Sequence, residues 1–282
     1  MSRHLAVLGS PISHSKSPAV HTAAYRTLQL NWDYTKVAVE QGRLMQFIEA
    51  LDSDWLGLSI TMPLKEEALR IANEQTSLAE KTGVANTLLR TTLGWKAHNT
   101  DVFGIEQSIS RALVESPNRV LVIGSGATAV SAVFAVASAY PNARITVAAR
   151  NSTTADGLRQ RAKTNDVKIK VASYANLKSL VNRSDLVVST LPANSLDDLA
   201  RRLSRSLFAK PRGTLLDVAY DPWPSALASY FLKNKREVIS GVEMLIWQAI
   251  AQIRLFNHND SDVELPNERA VELAMRHALG LI

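Results

Sequence analysis

Val120-Leu121-Val122-Ile123-Gly124-Ser125-Gly126-Ala127-Thr128-Ala129 sets an apolar run directly against a glycine-rich turn and the opening of an alanine-rich segment. A short apolar run with no polar alternation suits a strand covered on both faces of a parallel sheet. The spacing Gly124-x-Gly126-x-x-Ala129, with a strand before it and a helix after it, is that of a dinucleotide-binding turn. Its glycines let backbone amides approach a pyrophosphate, whose charge the positive end of the helix favours. The candidate contacts are Gly124, Ser125, Gly126, Ala127, Thr128 and Ala129. A tight strand-helix turn with no ligand is the plainer alternative, and the strand-turn-helix context weighs against it.

The next strand ends Val147-Ala148-Ala149-Arg150-Asn151-Ser152. An NAD-selective site carries Asp or Glu at such an end to accept from the ribose 2′-hydroxyl, whereas arginine suits a 2′-phosphate. With Arg150 present and no acid beside it, NADP is the expected cofactor, with Asn151 and Ser152 as further donors. Arg150 as a plain surface cation is the alternative. Further strands are expected at Ile169 to Val171, Leu186 to Ser189 and Thr214 to Asp217, with helical segments between them. This alternation predicts a Rossmann-type doubly wound parallel sheet.

Ahead of that sheet, strands are predicted at Leu5 to Leu8, Tyr34 to Val39 and Leu56 to Ile60, and helices at Gln41 to Leu51 and Lys65 to Asn73. A hairpin is predicted from Asn86 to Thr91 and Trp95 to His98, turning at Gly94. The fold class is therefore α/β with two domains, a mixed α/β N-terminal domain and the Rossmann-type one. A helix over Val102 to Val114, then Ser116-Pro117-Asn118, joins the halves. The run Met244 to Phe256 is expected to return to the first domain because the nucleotide sheet is by then full. The expected boundaries are 1–101 completed by 241–282, and 102–240.

The 282 residues, 46% of them hydrophobic, suffice for two cores. With no cysteine, disulfides and thiolate chemistry are excluded, which fits a reducing compartment. The six histidines show no metal-ligand spacing, so no metal is expected. The net charge of +6 comes from dispersed basic residues, which argues against nucleic acid as a partner. The run Leu5 to Leu8 is too short for a signal-peptide core, and no stretch approaches the about 18 apolar residues of a membrane span. A cytoplasmic monomer or homodimer acting on a small molecule is the expectation.

A second chemistry-bearing stretch is Ser59-Ile60-Thr61-Met62-Pro63-Leu64-Lys65, which places a lysine just past a short apolar strand. Such a lysine can exchange a proton with a substrate oxygen. Together with Gly9-Ser10-Pro11-Ile12-Ser13-His14-Ser15-Lys16-Ser17-Pro18, Ala85-Asn86-Thr87, Asn99-Thr100-Asp101, the Gly124 turn, Asp217-Val218-Ala219-Tyr220-Asp221-Pro222 and Gly241-Val242-Glu243-Met244-Leu245-Ile246-Trp247-Gln248, it resembles the shikimate dehydrogenase family, block by block and in order. The resemblance runs over nearly the whole chain.

It implies NADP-linked reversible reduction of 3-dehydroshikimate to shikimate, with the first domain binding substrate. It further implies that Ser15 and Ser17 hold the substrate carboxylate and that Thr61, Lys65, Asn86, Asp101 and Gln248 surround the ring hydroxyls. Tyr220 and Gly241 would lie at the nicotinamide, and Lys65 and Asp101 would form the proton-handling pair. Taken alone, Lys65 reads as a solvated cation at a helix start, Asp101 as an N-cap and the serines as a capping turn. The sequence departs from the family pattern at Ser59, where Asn is common, at His98, and at Ala149, with no second basic residue just after Arg150. Two alternatives stand beside this reading, an NAD-using quinate/shikimate dehydrogenase paralogue and a non-catalytic NADP-binding regulator.

Overall fold

The computed structural model describes residues 3–113, 115–205 and 210–282. The chain runs through β1 (Arg3–Gly9), α1 (Ser17–Thr27), β2 (Trp32–Ala38), α2 (Leu44–Glu49), β3 (Trp55–Ile60), α3 (Lys65–Ile71), β4 (Glu74–Gln75), α4 (Ser77–Thr82), β5 (Thr87–Thr91) and β6 (Gly94–His98). It continues with α5 (Asp101–Ala112), β7 (Arg119–Ile123), α6 (Ala127–Ala139), β8 (Arg144–Ala149), α7 (Ser152–Thr164), β9 (Ile169–Ser173) and α8 (Leu177–Arg183). Last come β10 (Leu186–Ser189), α9 (Asp197–Ser204), β11 (Thr214–Asp217), α10 (Ala226–Lys233), β12 (Val238–Ser240), α11 (Gly241–His258) and α12 (Glu268–Ala278). Two compact units divide it, one of residues 1–100 and 245–282, the other of residues 101–244. Val114, the expected end of the joining helix, lies outside the described residues.

The first unit holds a six-stranded mixed sheet in the order β2-β1-β3-β5-β6-β4. β1 pairs in parallel with β2 and β3, so the C-terminal ends of β1 and β3 share one edge of the sheet. β5 then runs antiparallel to β3 and brings Thr87 opposite Ser59 on that same edge. Central β1 is buried from Leu5 to Leu8, as strands covered on both faces must be, whereas edge strand β2 buries only Tyr34 fully. The β5–β6 hairpin turns at Gly94, whose φ of +119° is open to glycine alone among common residues.

The second unit is a wholly parallel sheet in the order β12-β11-β10-β7-β8-β9. Numbered from its own first strand this is the doubly wound order 3-2-1-4-5-6, with the reversal between β7 and β10. Alternate side chains explain the two helical layers. Val120, Val122, Val147, Leu186 and Val188 pack with α5 and α6, while Leu121, Ile123, Val187 and Leu215 pack with α8, α9 and α10.

The strands fall within a residue or two of expectation, and the differences lie in the helices. α2 covers only Leu44–Glu49, shorter than Gln41 to Leu51, because Glu67 of α3 accepts the Gly42 and Leu44 amides and pins the helix start there. α11 begins at Gly241, three residues before the expected start, and α4, β4 and α12 had no counterpart in the sequence pattern. The unit boundaries fall at 100/101 and 244/245.

Candidate active site

Most of the polar residues proposed for substrate collect in the first unit at the shared edge of β1, β3 and β5. Past the end of β3, Thr61 donates its amide to Leu8 and packs so close to Gly9 that a Cβ there would meet Thr61 Cγ2 at 2.5 Å. Lys65 opens α3 and is only 9% exposed, with its carbonyl accepting from the Ala85 amide at 2.9 Å. A lysine rarely sits that deep unless paired or functional. The Glu67 contacts with the loop before α2 hold α3, and hence Lys65, against that loop.

Asn86 follows at the mouth of β5 and is buried within a hydrogen-bond cluster. Its Nδ2 donates to Thr100 Oγ1 at 2.9 Å and to Gln248 Oε1 at 3.3 Å. Its Oδ1 accepts from the Thr100 amide at 2.7 Å and from Thr87 Oγ1 at 2.9 Å. Gln248 comes from α11, and its Nε2 donates to the Leu245 carbonyl at 2.9 Å. Ser15 and Ser17 occupy the turn entering α1, where Ser15 Oγ accepts the Ser17 amide at 3.3 Å and so keeps its own proton to give.

Behind this layer runs a polar seam that the sequence pattern left unassigned. Tyr34 donates to Ser59 at 2.6 Å, Ser59 to Gln252 Oε1 at 2.7 Å, and Gln252 Nε2 to Thr87 Oγ1 at 2.8 Å. His21 stacks on Tyr34 with ring centroids 3.9 Å apart. Burial drives the His21 pKa down to about 3, only partly offset by Gln252, so the ring is neutral. His21 is a packing residue of α1, its ring buried against Tyr34. Gln252 was missed although it sits one turn after Gln248 in a helix that is otherwise largely apolar, a spacing that puts both amides on one face. His98, one of the departures from the family pattern, is buried at the end of β6, where burial and then Lys96 push its pKa down to about 4 against a smaller pull from Glu74.

In the second unit the proposed cofactor residues sit at the C-terminal ends of parallel strands, where ligands bind in open α/β sheets. Gly124 has a φ of +123°, and a Cβ there would meet Thr190 Oγ1 at 2.4 Å, so glycine is required by both torsion and space. Gly126 caps α6 with no side chain, and a Cβ there would meet nothing within 4 Å. The open backbone of Gly126 and the α6 amides behind it fit a dinucleotide phosphate. Ser125 Oγ bonds Thr154 Oγ1 at 2.5 Å, tying the turn to α7. Arg150 is exposed at the end of β8 with its guanidinium 5.8 Å from the Tyr174 ring centroid, and Asn151 caps α7 by accepting the Thr154 amide at 3.2 Å. Ser152 opens that helix.

Asp101 is the first residue of α5, 4% exposed, and belongs to this second unit, while the chain ties it directly to Thr100 and so to the Asn86 cluster. Tyr220 is half-buried in the segment after β11, a segment anchored by Asp217, whose carboxylate accepts from Ser225 Oγ at 2.6 Å. Burial raises the Asp217 pKa, opposed by Ser225, Ser189 and the Ala219 amide. Gly241 opens α11 so near Val218 that a Cβ there would meet the Val218 carbonyl oxygen at 2.1 Å, and packing alone requires glycine.

Known proteins match both units. Residues 7–88 fit the family model for the shikimate dehydrogenase substrate binding domain, and residues 108–220 fit that for shikimate / quinate 5-dehydrogenase. The shikimate dehydrogenase of Mycobacterium tuberculosis superposes with a TM-score of 0.84 at 36% identity, covering 99% of this chain and 100% of that one. The chain belongs to the shikimate dehydrogenase family. Another relative in the family is the NADP(+) shikimate dehydrogenase of Methanosarcina barkeri, 28% identical over 96% of this chain and 99% of its own. The shikimate 5-dehydrogenase of Thermus thermophilus, solved in complex with NADP(H) and shikimate, is 25% identical with a TM-score of 0.80, covering 98% of this chain and 99% of that one. Among the described residues of this family member, no helix is long and apolar enough to cross a membrane.

Proposed function

We propose that this chain is an NADP-dependent oxidoreductase that interconverts 3-dehydroshikimate and shikimate on the route to chorismate and the aromatic amino acids. One observation carries the reading. A lysine buried at the first turn of α3 takes on its carbonyl the amide of Ala85, the residue before the Asn86 amide cluster, in a chain whose other unit bears a glycine turn and Arg150. NADPH, when bound, supplies the hydride for the substrate carbonyl carbon.

The chain's own residues do the rest. Lys65 gives the developing oxyanion a proton and takes it back in the oxidative direction, and Asp101 orients that ammonium as its positioning partner. The hydroxyls of Ser15 and Ser17 donate to the substrate carboxylate, and Thr61, Asn86 and Gln248 bond the ring hydroxyls. Gly124, Ser125, Gly126, Ala127, Thr128 and Ala129 hold the pyrophosphate, while Arg150, Asn151 and Ser152 take the 2′-phosphate. Tyr220 and Gly241 lie toward the nicotinamide. We place the enzyme in the cytoplasm, in keeping with a chain that has no cysteine, as a monomer or homodimer.

The decisive experiment follows nicotinamide absorbance with purified protein, crossing shikimate and quinate with NADP+ and NAD+. Turnover with shikimate and NADP+ well above the other three pairs is expected. Preference for quinate with NAD+ would transfer the chain to the quinate side of the family, and no turnover with any pair would leave a binding protein.

A further inference from the structure

Asn86 is a substrate contact in the function proposed above, and an amide has two ends of opposite hydrogen-bond sense, so its orientation matters. Two backbone groups settle the sense of the surrounding bonds. The Thr100 N–H can only donate, and it meets Asn86 Oδ1 at 2.7 Å. The Asn86 carbonyl can only accept, and it meets Gln252 Nε2 at 3.1 Å.

The second hydrogen of Gln252 Nε2 goes to Thr87 Oγ1 at 2.8 Å. A threonine hydroxyl that accepts there sends its single proton onward, and the neighbour in reach is Asn86 Oδ1 at 2.9 Å. On the other side of Gln252, its Oε1 accepts from Ser59, which in turn accepts from Tyr34. Every bond from Tyr34 through Ser59, Gln252 and Thr87 to Asn86 therefore points the same way. Ser59, one of the departures from the family pattern, suits the relay because one hydroxyl oxygen both accepts and donates at a single point. Buried hydrogen bonds that share a direction reinforce one another.

We propose that Gln252 is a positioning residue of the dehydrogenase reaction, acting through Thr87 to hold Asn86 with Oδ1 turned inward and Nδ2 offered to a substrate ring hydroxyl. The Nδ2 contact to Gln248 Oε1, at 3.3 Å longer than the 2.9 Å bond to Thr100, is the one the substrate hydroxyl supplants. The proposal rests on the function proposed above, and it assigns a role to a residue one layer removed from the substrate.

The test uses Thr87→Val, Thr87→Ser and Gln252→Met in the intact enzyme. Valine keeps the shape of threonine and favours a strand, so Thr87→Val on β5 removes only the relay hydroxyl. The expected result is a shikimate KM raised on the order of tenfold in Thr87→Val and Gln252→Met, from the lost orientation of a buried amide. The NADP+ KM and kcat should stay within about twofold, as for loss of uniform substrate binding. Thr87→Ser, which restores the hydroxyl, should return the shikimate KM to the wild-type value. A merely structural role would lower the active fraction without moving one KM alone. The relay is overturned if Thr87→Val leaves the shikimate KM unchanged, if both KM values rise together, or if Thr87→Ser fails to rescue. Should Gln252→Met not fold, the Thr87 pair decides by itself. Wild-type protein that turns over no shikimate would instead overturn the functional reading and the relay with it, whereas an active wild type with silent variants overturns the relay alone.

Discussion

In the function proposed above Lys65 exchanges the proton, because a lysine buried at the start of a helix can serve as donor and acceptor where a solvated one gains no advantage over water. Lys65→Ala should lower kcat by about two to four orders of magnitude, the usual contribution of a positioned acid-base group. NADP+ affinity, measured by fluorescence titration, should stay near wild type, and undiminished turnover would remove Lys65 from the mechanism. Arg150 makes a separate claim. Its guanidinium stands at the end of β8 against the Tyr174 ring, with no acid at the strand end to bond a ribose hydroxyl. Arg150→Ala should raise the KM for NADPH by about tenfold or more, as expected for a lost charge-assisted bond, and leave that for NADH nearly unchanged. Equal effects on both cofactors would dismiss phosphate recognition.

At the scale of elements, α11 is seated on the first sheet at Gly57 of β3, where a Cβ would come within 2.2 Å of the Phe256 ring. Gly57→Ala should therefore cost about 1–3 kcal/mol, the range for overpacking a core. Urea unfolding should record it as a lower midpoint, and adding Phe256→Leu should recover part of the loss. An unchanged midpoint would mean that the helix moves aside freely. The strands were the legible elements, since unbroken apolar runs such as Val120 to Ile123 and Leu186 to Ser189 are dictated by burial on both faces. β4 and α4 were not legible, because a two-residue strand paired only with β6 and a six-residue helix carry too little periodicity to register. In the candidate site the glycine turn was legible from its spacing between strand and helix and Lys65 from its place just past an apolar strand, whereas the role of Asn86 came with the family resemblance. The Tyr34-Ser59-Gln252 seam was hidden, since its members lie on β2, β3 and α11 and become partners only through tertiary contact.

For the molecule as a whole, two buried histidines set a pH limit on stability. In the native state the pKa of His21 lies at about 3 and that of His98 at about 4, whereas an unfolded chain has both near 6.5. His98 Nε2 is buried with no hydrogen-bond partner, and at His21 the pull of Gln252 falls short of the cost of burial, so little in the fold rewards protonation. Below pH 6.5 the unfolded state takes up protons that the native state refuses. Their stabilisation is accordingly intact above that pH and drains away as pH falls toward 4 and then 3. By pH 5 the loss is about 2 kcal/mol for each. Urea unfolding at pH 7 and pH 5 should record that fall, and His21→Phe, which retains a ring against Tyr34, should shrink it by about 2 kcal/mol. Parallel behaviour of the variant and wild type would refute the assignment.

The path of the chain has a consequence for its synthesis. Residues 1–100 and 245–282 share one unit, and α11 starts in the other. On a ribosome the leading segment must wait, its β-edge lacking Gln248 and Gln252, until the nucleotide-type sheet has been translated and has had the chance to fold first. A complete polar cluster thus arrives only with α11, and a nascent polypeptide stalled short of that helix would carry Asn86 without the amides that discipline it.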